Sequence, residues 1–306
     1  MVCRVKSAIF PVAGLGTRFL PVTKSIPKEM ISLVDRPLIQ HAVEEALAAG
    51  IERIVFVTAP GKVTLEAHFQ ASPELENTLA ARGNGAALEV LRATTLPRGA
   101  VACVSQPRPL GLGHAVLCAR ELAGDGPVAV LLPDDVIEAA TPCIGQMVEA
   151  HAECGGTVLA TMRLPRTQIS SYGVIDPSDT PAGAEDGRLV AVRGLVEKPA
   201  AQDAPSDLAV IGRYILAPSI FGHLARQRPG AGGEIQLTDA IASAAAGGEP
   251  VFGFCFEGRR FDCGSRVGFV EATVAFAMQR PEMRDRLGTF LRHEMARLET
   301  TVLAAE

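Results

Sequence analysis

Five short apolar runs, rich in β-branched residues, constrain this chain more than any other feature. They are Ser-Ala-Ile-Phe-Pro-Val-Ala at 7–13, Arg-Ile-Val-Phe-Val-Thr-Ala at 53–59, Ala-Val-Ala-Cys-Val-Ser-Gln at 100–106, Pro-Val-Ala-Val-Leu-Leu-Pro at 127–133 and Thr-Val-Leu-Ala-Thr-Met-Arg at 157–163. Each is separated from the next by enough chain for a crossover helix, which predicts an α/β fold built on a parallel sheet. The runs are apolar at nearly every position, as strands covered on both faces should be. The clearest helix is expected over 37–49. Leu38, Ile39, Ala42, Val43, Ala46 and Leu47 share a stripe there, with Pro37 at its start and Gly50 just past its end.

From Tyr172 the pattern changes to strand-rich segments, Tyr-Gly-Val-Ile-Asp, then 188–199, then 208–216, with 176–187 reading as a hairpin or loop. These segments predict an added β layer at the sheet edge. After Gly264 the chain reads as helical, with Val270, Val274 and Ala277 followed by Leu287, Leu291, Met295 and Leu298 as an apolar stripe that needs a partner. A hydrophobic share of 48%, with 30 glycines and 21 prolines dispersed along 306 residues, fits one elaborated domain rather than two unlike halves.

A formal net charge of −5 argues against a nucleic-acid partner, whose backbone is bound by clustered Lys and Arg. The apolar stretch at the N-terminus is too short for a signal segment, and no run of about 18 apolar residues follows, so neither secretion nor membrane spanning is expected. The seven cysteines, Cys3, Cys103, Cys118, Cys143, Cys154, Cys255 and Cys263, are far apart and form no CxxC pair. That spacing fits neither a disulfide framework nor a zinc site, and it suits a reducing cytoplasm.

The first run leads directly into Gly14-Leu15-Gly16-Thr17-Arg18, at the carboxyl end of a strand where open α/β sheets bind ligands. Glycines there let backbone N–H groups approach phosphate oxygens. A dinucleotide fingerprint would place Gly or Ala where Phe19 stands, and no acidic residue ends the second run, so a dehydrogenase reading fails. A Walker A loop would close with Gly-Lys-Ser/Thr, and Gly16-Thr17-Arg18 does not. Arg18, Lys24 and Lys28 then follow on a loop containing Pro21 and Pro27, which predicts an extended, stiffened segment suited to gripping a triphosphate. Asp134, just after the fourth run, places a carboxylate where a metal bridging phosphates could sit. Gln106 ends the third run with an amide able both to donate to and accept from a pyrimidine edge.

The segment 14–30 followed by 34–51 resembles the opening of the bacterial UTP-glucose-1-phosphate uridylyltransferases, within the sugar-nucleotide pyrophosphorylase family. Later stretches match in order: 106–119, 128–135, 172–176, 195–199, 210–216, 233–241 and 259–265, so the likeness covers about 7–280. The resemblance implies a Rossmann-like, mostly parallel sheet flanked by helices, the nucleotide-diphospho-sugar transferase fold. Within one domain it implies a nucleotide-binding half at about 1–165, a sugar-binding part at about 166–264 and a helical extension at about 265–306.

It also implies a Mg2+-dependent reaction of UTP with glucose 1-phosphate to give UDP-glucose and pyrophosphate, in a homo-oligomer, dimer or tetramer. By the same likeness Arg18, Lys28 and Lys198 would be catalytic. Ala13, Gly14, Leu15, Gly16, Thr17, Gln106, Gly111 and Gly113 would bind the nucleotide. Gly173, Glu197, Gly212 and Glu234 would bind the sugar, and Asp134 and Asp262 would hold the metal.

Several of these residues also have plainer readings. Gly111 and Gly113 suit a turn into a helix over 114–121, Glu197 and Lys198 a surface ion pair, and Asp135 a cap or solvated acid. Asp239 suits a helix brace, and His114 reads as structural, having no nucleophile partner. Two alternatives stay open: a thymidylyltransferase, since uracil and thymine share one hydrogen-bonding edge, and a regulatory, noncatalytic member of the fold. The long excursion at 68–95 favours the uridylyltransferases.

Overall fold

The computed structural model describes residues 4–59, 62, 64–178, 187–230 and 233–303. Its strands in the first half are β1 (Ser7–Pro11), β2 (Ser32–Leu33), β3 (Arg36–Pro37), β4 (Arg53–Thr58), β5 (Val101–Ser105), β6 (Val128–Leu131) and β7 (Asp135–Glu138). Those that follow are β8 (Thr157–Arg163), β9 (Gly173–Pro177), β10 (Leu189–Glu197), β11 (Leu208–Leu216), β12 (Val251–Cys255) and β13 (Arg259–Asp262). The five runs that open the sequence become β1, β4, β5, β6 and β8.

Nine strands pair in the order β5-β4-β1-β6-β11-β8-β12-β10-β9. Alternation along β1 sends Ala8 and Phe10 into the core on one face and Ile9 into the core on the other. Helices Leu38–Ala48 and Cys143–Cys154 cover the first face, and Leu112–Cys118, Ile220–Arg226 and Leu237–Ala246 cover the second. The helix expected over 37–49 thus forms, with Pro37 as its N-cap and Gly50 in the left-handed region beyond its end. The excursion at 68–95 folds as two helices, Pro73–Ala81 and Gly85–Thr94.

The second half differs from the added layer that its composition predicts. β11 enters the middle of the same sheet, antiparallel to both β6 and β8, while β12, β10 and β9 extend its far end, making the sheet mixed. β11 is buried along almost its whole length, and its pattern, apolar but for Arg213, suits a central strand as well as a covering one. Outside this sheet, β2 pairs with β3 and β7 with β13, both antiparallel, and the second pair sets Asp262 opposite Asp135. Of the loop expected at 176–187, residues 179–186 lie outside the described residues. Because β1 has β4 on one side and β6 on the other, the strand order reverses there, and the carboxyl ends of both open onto one crevice.

Candidate active site

The glycine loop leaves β1 and does not stay extended. Gly16 adopts φ 65° and begins a single 3-10 turn, Thr17–Phe19, and two more follow at Val22–Lys24 and Lys28–Met30. Pro21 and Pro27 stand immediately before the second and third turns, where a fixed φ starts a tight turn as readily as it stiffens an extended chain. Thr23 Oγ1 donates to the Gly16 carbonyl at 2.9 Å, folding the loop back on itself. Lys62 Nζ donates to the carbonyls of Val12 and Gly14 at 2.7 Å each and lies 3.6 Å from the buried Glu29 carboxylate. Lys24 is exposed to solvent.

Beside this loop lies a cavity of about 340 Å³ whose walls include Ala13, Gly14, Leu15, Gln106, Gly111, Leu112 and Glu234. Gly16, Thr17 and Gly113 are not among its lining residues. Gly111 caps the helix Leu112–Cys118 at φ 94°, so that helix starts earlier than 114 and ends earlier than 121. Gly113 donates its N–H to the Ile235 carbonyl at 2.9 Å, and a Cβ there would fall 2.7 Å from that oxygen. Gln106 is buried, and its Nε2 donates to the Gly111 carbonyl at 3.1 Å and to His114 Nδ1 at 3.0 Å. The amide that the sequence leaves able to donate and accept therefore has both its hydrogens engaged.

A second cavity, of about 310 Å³, gathers Asp134, Gly173, Glu197, Lys198, Gly212, Glu234 and Asp262. Leu112 and Glu234 line both cavities, so the two meet there. Glu197 accepts from Thr238 Oγ1 at 2.5 Å and lies 3.5 Å from the largely exposed Lys198 Nζ, so the surface ion pair exists, at the rim of the cavity. Lys198 holds φ 46°, a conformation that side chains other than glycine adopt at a cost. Gly173 and Gly212 admit neighbours of this chain: a Cβ on Gly173 would lie 3.1 Å from Thr238 Cγ2, and one on Gly212 would lie 2.5 Å from Asp135 Oδ2. Asp239 accepts from Gln227 Nε2 at 3.3 Å in the first turn of helix Leu237–Ala246, bracing the loop before it.

Asp134 follows β6 and Asp262 ends β13. Gly264 brings them together, for a Cβ there would lie 3.0 Å from Asp134 Oδ2 and 3.1 Å from Asp262 Oδ1. The Cys263 N–H donates to the Asp134 carbonyl at 2.7 Å, locking the two loops. Lys28 Nζ donates to Asp134 Oδ2 at 2.5 Å. Burial disfavours the Lys28 ammonium, but Asp134 and Glu29 outweigh it and hold its pKa above the ordinary value. Burial likewise works against the Asp134 carboxylate, and Lys28 overrides it and holds the pKa below the usual range. Arg18 Nη1 donates to the Gly264 carbonyl at 3.3 Å. Among the described residues no three His, Cys, Asp or Glu side chains cluster as a closed metal cage. Two converging carboxylates fit Mg2+, which keeps waters and takes substrate phosphates as its remaining ligands.

The most constrained side chain in this region is one that the sequence reading passed over. Arg213 on β11 is almost wholly buried and paired to Glu45, with Nη2 to Oε2 at 2.7 Å. It also donates to the carbonyls of Leu132 at 2.9 Å and Asp135 at 2.7 Å, one on each side of Asp134. Asp135 is neither a cap nor a solvated acid. Its carboxylate accepts from Gly212 N at 3.0 Å and pairs with Arg260, which donates onward to Tyr172 Oη at 2.7 Å. A lone Arg within the apolar run Val-Ile-Gly-Arg-Tyr-Ile-Leu was the available signal, since a buried guanidinium requires a carboxylate.

Two joined cavities lie at a strand-order reversal, with the paired carboxylates Asp134 and Asp262 and the cation Lys198 in the wall of the second, an arrangement suited to phosphate transfer. The nucleotidyl transferase family profile matches residues 8–279, and the chain belongs to that family. A Komagataeibacter xylinus UTP–glucose-1-phosphate uridylyltransferase is 51% identical over 267 residues, covering 87% of this chain and 92% of the relative. A UTP-bound UGPase structure from Acinetobacter baumannii aligns with TM-score 0.85 at 38% identity, over 94% of this chain and 98% of that one. A UDP-glucose pyrophosphorylase complexed with UDP-glucose aligns with TM-score 0.78 at 39% identity, over 90% of this chain and 100% of that one. A Bacillus anthracis structure described as a glucose-1-phosphate thymidylyltransferase, at 19% identity and TM-score 0.66 over 92% of this chain and 96% of that one, shares the fold alone.

Proposed function

We propose that this chain joins UTP and glucose 1-phosphate to give UDP-glucose and pyrophosphate. The observation that carries the reading is the meeting of the two cavities at Leu112 and Glu234, with Asp134 and Asp262 in the wall of the second. An oxygen of the sugar phosphate attacks the α-phosphorus in line and pyrophosphate leaves. Both reactants are polyanions, so the protein's work is alignment and positive charge.

On this reading the backbone of Ala13, Gly14, Leu15, Gly16 and Thr17 holds the nucleotide, and the base lies against Gln106 and Gly111, while Gly113 lets the helix pack on Ile235. Gly173, Glu197, Gly212 and Glu234 receive the glucosyl group, and Lys198 its phosphate. Arg18 and Lys28 face the departing pyrophosphate. Asp134 and Asp262 would hold Mg2+, which when bound neutralises charge on the phosphoryl oxygens. Uridylyl transfer is favoured over thymidylyl transfer because the relative 51% identical carries the uridylyltransferase name, whereas the thymidylyltransferase likeness is one of fold.

A homo-oligomer belongs to the same reading, with Phe290, Met295 and Leu298 exposed on the last helix as apolar material for contact. So does a cytoplasmic location; no described helix is long and apolar enough to cross a membrane. Asp134→Asn tests the site: the side chain keeps its size and loses its charge, so the variant should fold and lose turnover by about two or more orders of magnitude. Near-full activity in a variant folded by circular dichroism would place the metal elsewhere.

A further inference from the structure

Gln106 is the one side-chain amide in the wall of the cavity beside the glycine loop. A glutamine amide can present either its oxygen or its NH2 group, and which one faces the cavity decides which bases fit. Here the choice is made by two protein acceptors. The Gly111 carbonyl takes one Nε2 hydrogen at 3.1 Å, and His114 Nδ1 takes the other at 3.0 Å. With both hydrogens spent, Oε1 remains as the group without a protein partner; it is not among the buried unsatisfied atoms, so it keeps some exposure, on a residue that lines the cavity.

The second bond requires a particular imidazole. Nδ1 accepts only when the ring is neutral and its proton sits on Nε2. Cys118 Sγ lies 3.8 Å from Nε2 and 4.0 Å from Nδ1, beside the ring and in line with neither N–H direction, so the Gln106 bond alone sets the tautomer. Burial first, and then Arg108, keep His114 below the ordinary histidine range and favour the neutral ring. Burial pushes Cys118 up, which keeps it a thiol and not a competing anion.

We propose that His114 is a positioning residue for base selection: by fixing the Gln106 amide it leaves only an acceptor facing the base, so that the site takes a pyrimidine with an N3–H and rejects one whose N3 is a lone pair. The inference rests on the uridylyltransferase reading and deepens it. Uracil and thymine offer N3–H to Oε1. Cytosine would meet that oxygen with N3, acceptor against acceptor, or would have to slide along its edge to offer its N4 amine, which displaces the ribose and phosphates from the glycine loop. A site built around one such hydrogen bond discriminates strongly against a base that cannot make it. His114 touches no substrate and acts through Gln106.

The test is the ratio of kcat/KM for UTP to that for CTP, with glucose 1-phosphate and Mg2+, in the intact protein, His114→Leu and His114→Asn. Leu removes the acceptor, whereas Asn can place its amide oxygen where Nδ1 stands. The ratio should fall about tenfold or more in His114→Leu and stay within about threefold of the parent in His114→Asn. Equal ratios in all three proteins, or an equal loss in both variants, would overturn the proposal, since a packing role would not separate Leu from Asn by base. Failure of the parent to use UTP at all would instead sink the functional reading. Should His114→Leu not fold, the 15N spectrum of the parent's histidines still decides. His114 is assigned by its absence in His114→Asn. It should show Nδ1 unprotonated and Nε2 protonated at pH 7, and the reverse tautomer would overturn the proposal.

Discussion

Replacing Arg213 with Met should damage this protein more than any surface change, and the structure sets the scale. The guanidinium is 1% exposed and Glu45 is 9% exposed, so removing one leaves the other as an uncompensated charge in the interior. Breaking such a pair costs about 3–5 kcal/mol. The Ile144 N–H still donates to Glu45 at 3.0 Å, which tempers the loss, but the Leu132 and Asp135 carbonyls each lose a charged donor. A loss of about 4 kcal/mol is expected for Arg213→Met, and at about 2 °C per kcal/mol the melting temperature should drop by about 8 °C. Urea unfolding measures it directly. The paired substitution Arg213→Met with Glu45→Met should recover part of the loss, because no buried charge remains. A single variant within about 1 kcal/mol of the parent, or a double variant no better than the single, would refute this reasoning.

Two further outcomes follow from the same region. Lys28→Met should increase the affinity of the substrate-free protein for a divalent cation while abolishing turnover, because the ammonium at 2.5 Å competes for Asp134 Oδ2; a Mn2+ titration by electron paramagnetic resonance that shows weaker binding would contradict it. Glu29→Gln should stabilise the protein at neutral pH. Burial raises the Glu29 pKa despite Lys62 and Lys28, so between the ordinary value of 4.5 and the raised one the folded state holds a proton that the unfolded state has lost, and stability falls as pH rises through that window. The advantage of Glu29→Gln should therefore be full above the window and vanish below pH 4.5; urea melts showing an advantage that does not depend on pH would exclude this cause.

Much of the arrangement was readable because it follows from local rules. Apolar runs at crossover spacing announced the strands, and a glycine loop after the first of them marked the crevice. Asp134, Asp262, Glu197, Lys198 and Glu234 were found through motifs, and they do line one cavity. What the sequence could not show were partners chosen by tertiary packing. Nothing near Arg213 in the chain points to Glu45, which is 168 residues away. The burial of Asp135 depends on Gly212 and Arg260, neither of them near it in sequence. The proline loop was misjudged because proline's φ is shared by extended chain and by the entry to a turn. The place of β11 within the sheet was equally hidden, since a strand apolar at all but one position can sit at its centre or over its face.

The most direct measurement is the stoichiometry of pyrophosphate release from UTP, with each component omitted in turn. One pyrophosphate should appear for each UDP-glucose, only when UTP, glucose 1-phosphate and Mg2+ are all present, and dTTP should be used about 10 to 200-fold less efficiently, the range that a methyl contact supports. Pyrophosphate released without the sugar phosphate, or none released from the complete mixture, would contradict uridylyl transfer at this site. Equal efficiency with dTTP would contradict the choice of uracil.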